Sequence, residues 1–312
     1  MVRFALAVVA AVGSVGPVLA WNDKGHMVVA RLAWKEMTEA ERDKVFSILE
    51  KHPHFAEFLK AQRPANIPEK EWVFMRAATW SDWVRSGPPA RRAFHRGAEH
   101  FVNLPFVHPE GAVTPPKAAD TNVVTAITDH KNKARMATSQ EQRAVDTTWV
   151  FHLVGDIHQP LHCVALFGPD FPNGDRGGTK AQFRLENRLV PLHSFWDGLL
   201  GRPTTLSSIG GTVNEIETMI NSSPELKKAV LADIAANTTP AKWAEEGLEA
   251  AKKHAYLNGA LPLVNVDDDP DVGDIARAPA GYEEDCGEVA RVAAFKAGKR
   301  LAAALREILA DN

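Results

Sequence analysis

Phe151-His152-Leu153-Val154-Gly155-Asp156-Ile157-His158-Gln159-Pro160-Leu161-His162 is the stretch that decides how the rest of this chain reads. It closes an amphipathic run with the periodicity of a helix. His152 and Asp156 lie four residues apart, so their side chains leave the same helix face. Pro160 has a fixed φ and no amide proton, so the helix must kink or end near it and turn His162 to a new direction. An imidazole, a carboxylate and a second imidazole splayed in this way suit a borderline metal such as zinc.

The neighbouring sequence is mostly helical. Ser139-Gln140-Glu141-Gln142 carries the capping-box pattern that would open this helix, and Thr38-Glu39-Ala40-Glu41 carries another ahead of Val45, Ile48 and Leu49. Met27 to Met37 has helical apolar spacing, and Pro68 is suited to the first position of a helix over Glu69 to Arg85. Further helices are expected from Asn122 to Met136, after the cap Thr239-Pro240, and from Tyr282 to Leu309. Glu99 to Pro105 reads as extended. Thr179 to Val190, around Glu186-Asn187, is the strong hairpin candidate. No repeat or linker divides residues 21–312. The expected fold class is mainly α, one helical domain with a small β-hairpin.

Residues 1–20 stand apart as a signal peptide. Arg3 precedes a short Ala/Val/Leu run, and Val18-Leu19-Ala20 suits cleavage before Trp21. The expectation is export, to a secreted or periplasmic location, without stable membrane association. Processing would remove Arg3 and take the net charge from −3 to −4. A chain of that charge has no broad basic face for nucleic acid, so any attraction for phosphate must be local. The sequence leaves open whether Cys163 and Cys286 pair. Asp267-Asp268-Asp269-Pro270-Asp271 lacks the glycine and terminal glutamate of an EF-hand and reads as a solvated loop.

More candidate ligands lie elsewhere: Asp82 at the end of an apolar helix, His100, and His193 with Asp197 at the same spacing as His152 and Asp156. So many buried His and Asp side chains would be costly without a partner, and a metal is one common partner.

Together these motifs resemble the S1/P1 nuclease family, which is related to the zinc-dependent phospholipases C. The matching pieces are Trp21-x4-His26, Ser81-Asp82-Trp83-Val84-Arg85, His100-Phe101, His152-x3-Asp156-x5-His162 and Leu192-His193-x2-Trp196-Asp197. Ala297 to Ala302 also resembles the family's last helix. The resemblance implies a phospholipase C/P1 nuclease-like fold and three zinc ions. The first would take Asp82, His100, His152 and Asp156, and the second His162, His193 and Asp197. The third would take His26, the other oxygen of Asp156, and the amine and carbonyl of Trp21, an amine that exists only after processing.

The donors are nitrogen and carboxylate oxygen, which favours zinc over calcium or magnesium. Three dications against three aspartates leave roughly +3 at the site, so phosphate would be drawn to the metals. Zinc lowers the pKa of bound water from ~16 towards ~7. On this reading a water or hydroxide between the first and third ions attacks phosphorus in line, oriented by Asp82. The second ion stabilises the departing 3′ oxygen, and Arg85 the phosphoryl oxygens.

The resemblance further implies that Phe101 stacks on a base and Asn103 hydrogen-bonds to it. Stacking is worth ~1–3 kcal/mol per base and favours flexible single strands. The family usually has Gly-Gly-Asn ahead of its hairpin, whereas this chain has Gly177-Gly178-Thr179. His158 matches no ligand position and is expected behind the ligands or at the surface. His52, His54, His95, His108, His130 and His254 are expected at the surface.

The implied function is an exported endonuclease on single-stranded DNA and RNA, giving 5′-phosphate products, with 3′-nucleotidase activity and acting as a monomer. The alternative is a zinc-dependent phospholipase C acting on phospholipid headgroups. Those enzymes carry glutamate where this chain has Asp197, and the chain shows no added amphipathic apolar helix for a lipid surface. A zinc-stabilised binding protein is a third reading, but a full ligand set beside Asp82 and Arg85 argues against it.

Overall fold

The computed structural model describes residues 21–111, 113–268 and 270–310. The signal peptide expected over residues 1–20 lies outside the described residues. The fold is mainly α, as expected.

α1 (Asp23–Glu36) begins four residues earlier than its apolar spacing suggests, because the Asn22 side chain accepts from the Gly25 N–H and caps it. That cap takes His26 into the first turn. α2 (Glu39–Leu49) starts at Thr38 with both arms of the capping box made. Pro68 stands one position before α3 (Glu69–Ala77), not inside it.

The single helix expected over Glu69 to Arg85 is in fact two. The ladder breaks at Ala78–Thr79 and resumes as α4 (Trp80–Trp83). Nothing in the local composition forces this break, but it frees the Ala78 carbonyl for His152. After the short α5 (Pro89–Arg92), His100 ends a 3-10 turn, Gly97–His100, where extended chain was expected from Glu99.

β1 (Leu104–Val107) pairs in parallel with β2 (Val164–Phe167), Leu104 opposite Val164. Between them run α6 (Val123–Met136) and α7 (Gln140–Asp156), capped by Asn122 and Ser139. α7 ends at Asp156 as the proline requires, and Pro160–Cys163 forms a 3-10 turn leading into β2.

The expected hairpin is β3 (Ala181–Leu185) with β4 (Arg188–Pro191), and β5 (Leu263–Asn265) joins the other edge of β3. α8 (Leu192–Asp197) follows directly. α9 (Leu206–Ser222), α10 (Pro224–Ala236) and α11 (Pro240–Ala250) lead to the long α12 (Tyr282–Leu309). In the acidic loop, Asp267 pairs with Lys180 and Asp271 caps a short turn.

Two apolar clusters fill the interior. The larger joins α1, α2, α3, α7 and α12 through side chains such as Val28, Leu49, Phe74, Phe151 and Leu301. The smaller lies under the sheet and α8, around Phe183, Trp196, Tyr256 and Tyr282. α12 lies against α1 with almost no space between them: a Cβ on Gly298 would stand 2.4 Å from Leu32 Cβ. The metal-ligand candidates include His152 and Asp156 on α7 and His193 and Asp197 on α8, helices that contribute to the larger and the smaller cluster respectively.

Cys163 and Cys286 are both buried free thiols, so the pairing question resolves against a disulfide. Burial pushes both thiols up, Cys286 to about 12, which leaves them unreactive. No helix among the described residues is long and apolar enough to cross a membrane.

Candidate metal centre

α7 supplies the centre of the site. His152 and Asp156 face the same way one turn apart, and His26 from α1 stacks on His152 with ring centroids 4.1 Å apart. The stack needs Gly155 beneath it, because a Cβ there would stand 2.7 Å from His26 Nδ1. Asp82 arrives from α4 and His100 from the 3-10 turn.

Their donor atoms converge. His152 Nε2 lies 3.0 Å from His100 Nδ1, 3.2 Å from Asp156 Oδ2 and 3.6 Å from Asp82 Oδ1. His100 Nδ1 is 2.9 Å from Asp156 Oδ2, and His26 Nε2 is 3.4 Å from the other oxygen of Asp156. Asp156 thus presents one oxygen to His100 and His152 and the other to His26.

The second set is His162, His193 and Asp197, whose ligand atoms lie within 4.8 Å of one another; the same limit holds for His100, His152 and Asp156, and for His26, Asp82 and His152. All of these side chains are buried. The nine proposed ligand residues are therefore brought together except that Trp21, fully buried, is placed only by its position at the head of α1.

The backbone fixes which nitrogen each histidine offers. Nδ1 of His152 donates to the Ala78 carbonyl (2.8 Å), that of His162 to the His100 carbonyl (2.7 Å), and that of His193 to the Gly177 carbonyl (2.6 Å). Each bond holds the ring's Nε2 toward the cluster, the arrangement by which proteins orient imidazole ligands.

Gln159 does the same for a carboxylate. Its Nε2 donates to Asp197 Oδ1 at 2.8 Å while its Oε1 accepts from the Leu161 N–H. Sequence reasoning passed over Gln159, and its place between two ligands and beside a proline was the available signal.

The donor set fits metal ions. Among the described residues, buried polar atoms without a hydrogen-bond partner include both nitrogens of His26, both oxygens of Asp82, His100 Nε2, Asp156 Oδ1 and His162 Nε2. Asp82 Oδ1 meets Arg85 Nε only as an ion pair at 2.9 Å. Leaving such groups buried and unsatisfied costs about 1–3 kcal/mol each, a cost that a coordinated cation removes.

Electrostatics differ across the site. Burial works against ionisation of Asp156, yet His152 and the other imidazoles hold its carboxyl well below the usual range. Burial would lower His152, but Asp156 and Asp82 raise it to about 8. Burial brings His100 down to about 4 and pushes Asp197 well above its ordinary value.

The site opens into a cavity of about 580 Å³ lined by Arg85, His100, Phe101, Asn103, His162 and His193, and also by Arg176 and Thr179. Phe101 is 40% exposed, one of few large apolar side chains to be so. Thr179, where the family usually has asparagine, therefore does reach the cavity.

Three expectations about other histidines change. His130 is buried, held between Asp146 (2.7 Å) and Glu99 (2.9 Å), because two carboxylates offset its desolvation. His52 is buried against Trp80. His158 points away from the ligands, donating to the Val154 carbonyl and meeting Arg300 Nη1 at 2.9 Å. Arg300, from the stretch resembling the family's last helix, is also paired twice with Glu246.

A model of the S1/P1 nuclease family matches residues 21–310, and the chain belongs to that family. It is 25% identical over 256 residues to Endonuclease 3 of Arabidopsis thaliana, covering 77% of this chain and 76% of that protein. It is 30% identical over 129 residues to Endonuclease 4 of the same plant, covering 38% of this chain and 39% of that protein. The protein is a nuclease, with clusters of His and Asp that could hold metal ions.

Proposed function

We propose that this nuclease is an exported zinc enzyme that hydrolyses single-stranded DNA and RNA to 5′-phosphate products and also acts as a 3′-nucleotidase. The observation that carries the reading is one cavity in which exposed Phe101 and Asn103 stand beside the His/Asp clusters and Arg85. An aromatic face available to an unpaired base, next to cation-binding donors, suits a flexible strand better than a duplex or a lipid headgroup.

Three zinc ions are assigned to Asp82, His100, His152 and Asp156; to His162, His193 and Asp197; and to Trp21, His26 and Asp156. The nitrogen and carboxylate donors support zinc. When bound, the ions supply a water acidic enough to ionise near neutral pH and positive charge for the phosphoryl oxygens.

The chain's own residues do the rest. Phe101 stacks on the base and Asn103 hydrogen-bonds to its edge, which sets the scissile phosphate at the clusters. Arg85, held 2.9 Å from Asp82 Oδ1, is aimed where a phosphoryl oxygen would gain charge. A carboxylate oxygen of Asp82 accepts the hydrogen bond that orients the attacking water. Cleavage before Trp21 would leave its new amine five residues before His26, just ahead of α1. We expect a monomer without stable membrane association.

The test is to incubate the purified protein with single-stranded DNA, RNA, 3′-mononucleotide and phosphatidylcholine, with and without a chelator. Cleavage of the first three, abolished by chelation, is expected, and cleavage of the phospholipid alone would overturn the reading. Asp82→Asn should lower turnover by about 10²–10³-fold, the scale of losing one aimed electrostatic group, while the fold melts as in the wild type. Full activity in that variant would remove Asp82 from its role.

A further inference from the structure

The long loop from Gly168 to Gly178, rich in turn residues, has so far supplied only one carbonyl, that of Gly177. Its conformation is costly and tightly fixed. Gly174, Gly177 and Gly178 adopt φ values of 81°, 64° and 78°, and between them Arg176 also sits at φ 54°. A non-glycine residue in that region is uncommon, and it persists only where its surroundings over-determine it.

Here the surroundings are Asp175. Its fully buried carboxylate accepts from the Leu166 N–H (2.8 Å) and the Tyr256 hydroxyl (2.6 Å), and its own N–H donates to the Leu166 carbonyl. Burial raises Asp175 to about 6 even with these donors, so the site retains a carboxyl that costs free energy to bury. The loop is thus anchored to β2 and to the smaller apolar cluster, immediately before Arg176.

Two features of Arg176 go unused by the loop itself. Its side chain is exposed and lines the same cavity as Arg85, Phe101 and His193. Among the described residues, no hydrogen bond or ion pair holds its guanidinium. Arg85, by contrast, is tied to Asp82 at the metal-ligand cluster. The cavity therefore has one cation beside the clusters and another, unengaged, on the wall built by the loop.

We propose that Arg176 is a specificity-determining residue that binds the phosphate neighbouring the scissile one, so that the enzyme favours a strand over a mononucleotide. The inference rests on the nuclease reading above and deepens it. A mononucleotide brings its base to Phe101 and its phosphate to the clusters and has no second phosphate to offer Arg176. A strand has one, and guanidinium groups suit phosphate oxygens geometrically as well as electrostatically.

The experiment compares wild type with Arg176→Gln, Arg176→Lys and Arg176→Gly on a short single-stranded oligonucleotide, on the same oligonucleotide with an uncharged methylphosphonate next to the scissile linkage, and on a 3′-mononucleotide. Arg176→Gln should lower the oligonucleotide-to-mononucleotide ratio of kcat/KM by about 10-fold, mostly through KM. The slope of log(kcat/KM) against log[salt] should become shallower by about 0.7, the value for one contact to a single strand. Wild type should lose a similar factor on the methylphosphonate substrate, and Arg176→Gln should lose little more, since the pair is already broken. Arg176→Lys should keep the salt slope.

Arg176→Gly separates binding from folding. It relieves the left-handed strain, so its Tm should equal or exceed that of wild type while the oligonucleotide preference is lost. Unchanged preference and salt slope in Arg176→Gln would overturn the proposal. So would equal losses on strand and mononucleotide, or loss of bound zinc, which would mark Arg176 as a structural support of the His193 loop. If wild type cleaved no strand at all, the nuclease reading would fail, and fluorescence anisotropy with the same oligonucleotide would still compare the proteins for binding.

Discussion

Around Asp156 the donors hold one another, whereas around Asp197 the surrounding chain holds each donor separately. Asp156 meets three imidazoles within 3.4 Å, and the charge of His152 together with hydrogen bonds from the three rings keeps its carboxyl ionised despite full burial. Asp197 has Gln159 as its close polar partner and His193 at 3.6 Å, and burial pushes its carboxyl upward. The first set is a preformed charge network on helices of the large core. The second is a set of separately braced donors on a turn and a short helix. Without metal, the first set should remain a stabilising element while the second is close to neutral or worse.

The largest effect should come from Asp156→Asn. Removing one partner of a buried ion pair costs about 3–5 kcal/mol, so the metal-free variant should melt well below wild type by calorimetry, and metal analysis should show less than full zinc. A metal-free Asp156→Asn as stable as wild type would show that the network around Asp156 does not stabilise the fold.

Gln159→Leu probes the set around Asp197. Losing the group that orients a ligand lowers metal affinity by about 10–100-fold, and competition with a chromophoric chelator should find the loss confined to one of the bound ions.

A smaller effect concerns pH. His152 is raised from 6.5 to about 8, so its pairing stabilises the metal-free fold fully below pH 6.5 and is lost as pH rises through about 8. The loss should amount to about 2 kcal/mol at most, visible as a falling Tm between those values in chelated wild type. His152→Gln should lack that slope. A Tm that rose over this window would contradict the assignment.

Asp197→Asn should change least. It removes a charge that burial already disfavours and keeps a hydrogen-bond partner for Gln159, so the metal-free variant should lie within about 1 kcal/mol of wild type. A loss as large as that of Asp156→Asn would erase the distinction between the two sets.

The two regions were also unequally legible in the sequence. His152, Asp156, His193 and Asp197 stand at helical spacing, and Pro160 announces the turn that redirects His162, so the ligands could be found from local pattern. The caps at Thr38, Asn122, Ser139 and Thr239 are local chemistry as well. What supports the ligands is mostly not local. The break at Ala78–Thr79 lies in a sequence that favours unbroken helix, and its use becomes visible only when the freed carbonyl meets His152, 74 residues on. The parallel pairing of β1 with β2 joins strands about sixty residues apart. The burial of His130 depends on carboxylates from two other elements. Arg176 carried no motif at all, because a left-handed backbone at a non-glycine position has no compositional signature.

The close contact of Gly298 with Leu32 bears on the order in which the site can be made. α1, which carries His26, is seated against α12, the last of the described helices. During synthesis the ribosome delivers the first of these some 260 residues before the other. Until α12 emerges, the surface against which Leu32 of α1 packs is missing. The packing of the segment that carries His26 is therefore completed only once α12 has been made, long after His152 and Asp156 of α7.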